Sequence, residues 1–140
     1  MIVLDTDVIS EMMRSAPDDR VTAWLASQPM SGLFTTTLTQ AEILYGLTLL
    51  PEGRRRDDLF AAARPIFDED MAGRILPFDS DAALIYPDIA AGRRQSGHPI
   101  SQIDVQIAAI ARSRGARLAK RNVRDFKDCG IDVVNPWSTR

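Results

Sequence analysis

Short apolar, β-branched runs alternate along this chain with longer segments of helical periodicity. Ile2-Val3-Leu4 comes first: too short for a helix and apolar at every position, it reads as a strand covered on both faces. Residues 33–37 (Leu-Phe-Thr-Thr-Thr), 74–78, 117–119 and 131–134 are the other strand-like runs.

Helical patterns fill the intervals. Residues 8–13 suggest a short helix ended by Ser15-Ala16-Pro17, and a second starts at Asp18 or Asp19 with Val21, Trp24 and Leu25 on one face and Pro29 beyond its end. In residues 38–49, Ala41, Leu44, Tyr45 and Thr48 alternate with a face carrying Glu42. After the turn Pro51-Glu52-Gly53, an Arg-rich helix passes through Leu59, Phe60 and Ala63 toward Ile66 and Phe67. Asp79-Ser80 supplies cap chemistry for a helix reaching Arg94, which Pro87 is expected to kink. Past the loop Gly97-His98-Pro99, residues 101–114 form a helix with Ile103, Ile107, Ala108, Ile110 and Ala111 apolar, stopped by Gly115. Residues 122–126 are a loop or short helix.

Strands separated by helices predict an α/β fold of three layers, with a mostly parallel central sheet and helices on both faces. The 140 residues fit a single domain, 1–140, without repeats.

Composition narrows the classes. No apolar run approaches the length of about twenty residues that a bilayer requires, and the first residues lack the basic n-region of a secretory signal. A cytoplasmic protein is expected, and a single cysteine, Cys129, supports no internal disulfide framework. The net charge of −2 argues against gripping nucleic acid by bulk electrostatics but leaves room for a local basic patch. Lys120 and Lys127 are the only lysines; the rest of the positive charge is Arg.

Asp5 ends the first strand, Glu42 lies on the helix after the second, Asp104 starts the late helix, and Asp125 follows the fourth strand. If the first and fourth strands lie side by side, these acids converge beyond the carboxyl edge of the sheet, where open α/β sheets bind ligands. Two like charges about 4 Å apart cost about 4 kcal/mol at an effective dielectric of 20. A hard divalent cation relieves that repulsion, and such a site activates water for displacement at phosphorus. Thr6, Ser101 and Asn122 stand where they could orient a carboxylate or a phosphate. Taken one at a time, each acid is equally well a helix cap or part of a solvated face.

Four blocks sharpen the choice: Ile2-Val3-Leu4-Asp5-Thr6, Thr39-Gln40-Ala41-Glu42-Ile43-Leu44-Tyr45-Gly46, Ile103-Asp104-Val105-Gln106-Ile107-Ala108-Ala109 and Arg121-Asn122-Val123-Arg124-Asp125-Phe126. In this order they resemble the signature blocks of PIN-domain ribonucleases, in particular the VapC and FitB type toxins of bacterial toxin–antitoxin pairs. The resemblance runs nearly end to end, closing on Val133-Val134-Asn135-Pro136-Trp137. It implies a small α/β/α nuclease that binds Mg²⁺ or Mn²⁺, hydrolyses RNA phosphodiesters, forms a homodimer and is held inactive by a cognate VapB-like antitoxin. By position it makes Asp5 and Asp104 direct metal ligands, Glu42 a ligand or water-positioning base, and Asn122 with Asp125 the fourth corner.

Three residues depart from the family pattern. Asp7 stands where relatives commonly have Asn, Lys120 where a small hydroxyl residue commonly precedes Arg-Asn, and Pro87 where a helix-friendly residue is usual. Lys120 would neutralise the cleft or contact a scissile phosphate; a solvated strand-end lysine accounts for it equally. Arg121 and Arg124 flank the acidic loop and, with Lys120, are the RNA-binding candidates, whereas Arg54 to Arg56 read as a solvated helix face. His98 reads as a surface residue, and Cys129, Trp24 and Trp137 as packing.

Two other functions fit parts of the sequence. Asp5-Thr6-Asp7-Val8 matches the start of haloacid-dehalogenase-type phosphatases, which would make Asp5 a nucleophile and Asp7 an acid–base residue. A catalytically weak PIN-fold module acting only through its partner is the other.

Overall fold

The computed structural model describes residues 1–138. Its strands are β1 (Ile2–Leu4), β2 (Leu33–Thr36), β3 (Ile75–Leu76), β4 (Arg117–Ala119) and β5 (Val133–Val134). They form a five-stranded sheet in the order β3-β2-β1-β4-β5, with every neighbouring pair parallel. The helices are α1 (Thr6–Met12), α2 (Asp19–Ala26), α3 (Thr37–Thr48), α4 (Arg54–Pro65), α5 (Ser80–Gln95) and α6 (Gln102–Ser113). Each lies close to its expected bounds, while β3 and β5 are shorter than the apolar runs that contain them.

Strand alternation builds two cores, one on each side of the sheet. Ile2 and Leu4 join Val8, Ile9, Trp24, Ile43 and Phe67 on the side of α1 to α4, while Val3 between them packs with Ile107, Ala111 and Leu118 on the side of α5 and α6. This is the three-layer α/β/α arrangement. Within the second outer layer, Arg114 at the end of α6 pairs with Asp79 before α5 at 3.5 Å, so these two helices run antiparallel. Among the described residues no helix is long and apolar enough to cross a membrane.

The expected inner face of α3 is corrected. Thr39, Ile43 and Leu47 are its buried positions, spaced by four, whereas Ala41 and Thr48 are exposed and Tyr45 is 67% exposed. Apolar residues surround this helix, so periodicity has no single stripe to find; a polar contact decides its rotation. The Thr36 hydroxyl caps the helix by accepting the Thr39 backbone N–H at 3.1 Å, and the Thr39 side chain turns inward onto Thr6. In α5, the helix continues across Pro87, whose ring is exposed.

Candidate active site

The register of the central strands creates the site. β1 pairs Leu4 with Ala119 of β4, so Asp5 and Lys120 are the first residues beyond two adjacent strand ends. The Asp5 backbone N–H donates to the Ala119 carbonyl at 3.0 Å, and the Lys120 N–H donates to the Val134 carbonyl at 3.0 Å, which fixes both backbones. Their side chains meet: Lys120 Nζ lies 3.3 Å from Asp5 Oδ2 and 4.0 Å from Asp125 Oδ2.

Both partners of this ion pair are buried, Asp5 being 4% and Lys120 6% exposed. The Lys120 ammonium also sits 4.4 Å from the centre of the Phe126 ring, a cation–π contact that replaces lost hydration. A solvated strand-end lysine is therefore not what the fold makes of Lys120. The other two RNA-binding candidates, Arg121 and Arg124, are exposed. The Arg121 guanidinium lies 5.1 Å from the centre of the buried Trp137 ring.

Glu42 enters through a hydroxyl relay. Thr6 Oγ1 donates to Glu42 Oε1 at 2.7 Å and lies 3.1 Å from Thr39 Oγ1. A hydroxyl has one proton, so Thr39 must be the donor to Thr6. Thr6, the residue after Asp5, thus orients Glu42.

Ser101 and Asn122 have structural jobs. Ser101 Oγ caps α6 by accepting the Asp104 backbone N–H at 3.2 Å. Asn122 Oδ1 accepts the Arg124 N–H at 3.3 Å and starts the short 3₁₀ turn Val123–Phe126, which places Asp125 toward Lys120 and Phe126 under it. Asp104 sits in the first turn of α6, near enough to Asp5 and Lys120 to act on the charge of both.

Sequence reasoning missed Asp7 as a member of this group. Rather than only starting α1, it reaches across the chain: its Oδ2 accepts the Arg121 backbone N–H at 2.8 Å. Its Oδ1 is buried with no hydrogen-bond partner among the described residues. The available signal was its position two residues after Asp5, which puts it on the same turn of helix.

Electrostatics follow from one ammonium among several carboxylates. Burial raises the Asp5 pKa to about 6; Lys120 opposes this, and Asp7 and Asp104 add to it. Burial works against the Lys120 charge, yet Asp5 and then Asp104 outweigh it and hold the lysine above its ordinary pKa. The two directions are compatible, because the lysine is shared while the acids compete for it. Burial likewise raises the Asp7 pKa, against the Arg121 N–H, which donates to the carboxylate and favours its charged form.

Among the described residues, no three acidic, histidine or cysteine side chains stand close enough together to hold a metal ion as they are. The donor chemistry nevertheless fits a hard cation. All the acids are oxygen ligands, the buried Asp7 Oδ1 lacks a partner, and Mg²⁺ takes only one or two carboxylates while keeping several waters.

A family model described as the PIN domain matches residues 2–131. The chain belongs to the PIN domain family. It is 40% identical over 137 residues to the VapC ribonuclease Y4jK of Sinorhizobium fredii, covering 98% of each chain. It is 37% identical over 137 residues to the toxin FitB of Neisseria gonorrhoeae, covering 98% of this chain and 99% of FitB. The structure of FitAB bound to the IR36 DNA fragment matches with a TM-score of 0.88 and 35% identity, over 100% of this chain and 98% of that one. The fold class and family expected from the four blocks are thus established. PIN-domain nucleases generally use divalent metal ions.

Proposed function

We propose that this PIN-domain protein is a divalent-cation-dependent endoribonuclease and the toxin of a toxin–antitoxin pair. The observation that carries the reading is the gathering of Asp5, Asp104 and Asp125 around Lys120, with Glu42 oriented by Thr6, at the carboxyl edge of β1 and β4. Asp5 and Asp104 would hold the Mg²⁺ or Mn²⁺ ion, with Asp125 at the rim. When bound, the ion would polarise a phosphoryl oxygen and favour ionisation of a nearby water.

The chain's own residues divide the remaining work. With one oxygen of Glu42 fixed by Thr6, the carboxylate is oriented before the proton of an attacking water reaches it. Asp7 fastens the loop that carries Asn122 and Asp125 by accepting the Arg121 N–H, so the far wall of the cleft is fixed to α1. Arg121 and Arg124, exposed on that loop, suit the phosphates flanking the scissile bond. The similarity to FitB and to the FitAB complex supports a VapB-like antitoxin partner, and the exposed Tyr45, Leu49 and Leu84 provide apolar surface for homodimer or antitoxin contact.

The phosphatase alternative gains the Asp5–Lys120 pair that such a nucleophile would use. It loses its acid–base residue, because Asp7 Oδ2 is committed to Arg121 and α1 holds it buried. It also leaves Glu42 and Asp104 without work.

The deciding experiment is RNA cleavage by the full chain with Mg²⁺, with Mn²⁺ and with a chelator, beside Asp104→Asn. Cleavage by the wild type only with a divalent ion, and its loss in a folded Asp104→Asn protein, is expected. Full nuclease activity in that variant would overturn the reading, and a phosphoryl group trapped on Asp5 would support the phosphatase.

A further inference from the structure

Lys120 is the one element of the cleft that this mechanism does not use, and its placement is unusually constrained. Its backbone is locked by the β4–β5 ladder through the Val134 carbonyl, and the Phe126 ring lies against its ammonium at 4.4 Å. With 6% exposure the side chain is buried among these contacts. Its charge therefore stays between Asp5 and Asp125, at 3.3 Å and 4.0 Å, with Asp7 and Asp104 acting on it as well.

A cation held between two carboxylates repels any second cation that would bridge the same pair. Phosphoryl-transfer sites with two metal ions require each ion to share carboxylates with the other at short separation. We propose that Lys120 is a resident cation of this cleft: its ammonium, held between Asp5 and Asp125, repels a second divalent ion, so that the chain works with one divalent ion and its own lysine. The lysine also offsets the repulsion between the carboxylates that face it. Asp7 is the matching negative charge, half-buried two residues after Asp5 and hydrogen-bonded to the backbone of the residue after Lys120.

This inference rests on the metal-dependent reading of the same cleft. It is tested by titrating the full chain with Mn²⁺ and counting bound ions from the loss of the free-ion electron paramagnetic resonance signal. The wild type should bind one ion per chain and Lys120→Met two, while Lys120→Arg, which keeps the charge, should stay at one. Two ions in the wild type, or one ion in a folded Lys120→Met protein, would overturn the proposal. Absence of binding and of cleavage in the wild type would instead defeat the metal-dependent reading itself.

Thermal melting supplies a readout independent of activity. Removing Lys120 leaves the carboxylates uncompensated, so Lys120→Met should melt lower than the wild type in chelator and gain several degrees more on adding saturating Mn²⁺. Equal gains in the two proteins would count against a resident cation. Should Lys120→Met fail to fold even with Mn²⁺, the ion count of the wild type and of Lys120→Arg still decides, since two ions in either overturns it.

Discussion

Thr6 Oγ1 donates to Glu42 Oε1 across 2.7 Å, joining the first residue of α1 to the middle of α3. Thr39 completes the relay from behind, so the orientation of Glu42 depends on a hydroxyl at position 6 rather than on its bulk. Thr6→Val keeps the shape and removes the donor. It should lower kcat for RNA cleavage about ten- to hundredfold with little change in KM, the order expected when a reacting group is misplaced by about 1 Å. Thr6→Ser should restore most of the loss. A Thr6→Val enzyme with wild-type kcat would show that Glu42 needs no orientation.

Asp7 and Arg121 form the second long-range tie, and here geometry and charge pull apart. The 2.8 Å bond to the Arg121 N–H stabilises the loop, while burial of the carboxylate opposes its charge. Asp7→Ala should destabilise the protein by about 1–2 kcal/mol, the range for a hydrogen bond to a charged group lost at one end. Asp7→Asn keeps an acceptor without the charge and should match or exceed wild-type stability at pH 8. Hydrogen exchange at the Arg121 amide checks the cause, since protection should fall in Asp7→Ala and persist in Asp7→Asn.

How much of this was legible in the sequence depended on what fixed each feature. The strands were readable because Ile2-Val3-Leu4 is apolar at every position, as two-sided burial requires, and Leu118-Ala119 continues the pattern after the exposed Arg117. Asp5 and Asp104 were readable because one ends a strand and the other begins a helix, whereas Glu42, in the middle of α3, and Asp125, in the turn after β4, were picked out by the resemblance of their sequence blocks. The inner face of α3 was not, because the Thr39–Thr6 contact sets its rotation and the apolar residues do not. Lys120 and Asp7 were visible as departures from the family pattern, but their roles needed the strand register and the turn after β4. Those are long-range facts: Asp7 and Arg121 are 114 positions apart in the chain.

Pro87 interrupts a 16-residue helix without a compensating role in the core, for its ring is exposed. Proline in a helix interior removes an N–H and crowds the carbonyl four residues earlier, at a cost of about 3 kcal/mol in a regular helix. Here that carbonyl belongs to the exposed Ala83, where water can replace the missing donor and soften the penalty. Pro87→Ala should therefore stabilise the protein by about 1–2 kcal/mol in urea unfolding, with cleavage unchanged. A loss of stability would mean that the packing of α5 against α6 depends on the proline.

Burial of Asp5 makes the metal-free protein less stable as pH rises. Its pKa is about 6 in the folded chain against about 3.9 in an unfolded one. Below pH 4 the carboxyl is protonated in both states and carries no penalty. Between pH 4 and 6 the unfolded chain releases the proton first, so stability falls with rising pH and levels off above 6. The full difference is about 3 kcal/mol at about 1.4 kcal/mol per unit. Asp5→Asn cannot ionise, so its stability in chelator relative to the wild type should rise by about 3 kcal/mol from pH 4 to pH 7.5, whatever the constant cost of unpairing Lys120. Adding Mn²⁺ at pH 7.5 should stabilise the wild type and leave Asp5→Asn nearly unmoved, because the ion binds the anion that burial disfavours. Urea unfolding at a series of pH values measures both, and a pH-independent difference between the two proteins would mean that Asp5 is ionised in the folded chain as readily as in the unfolded one.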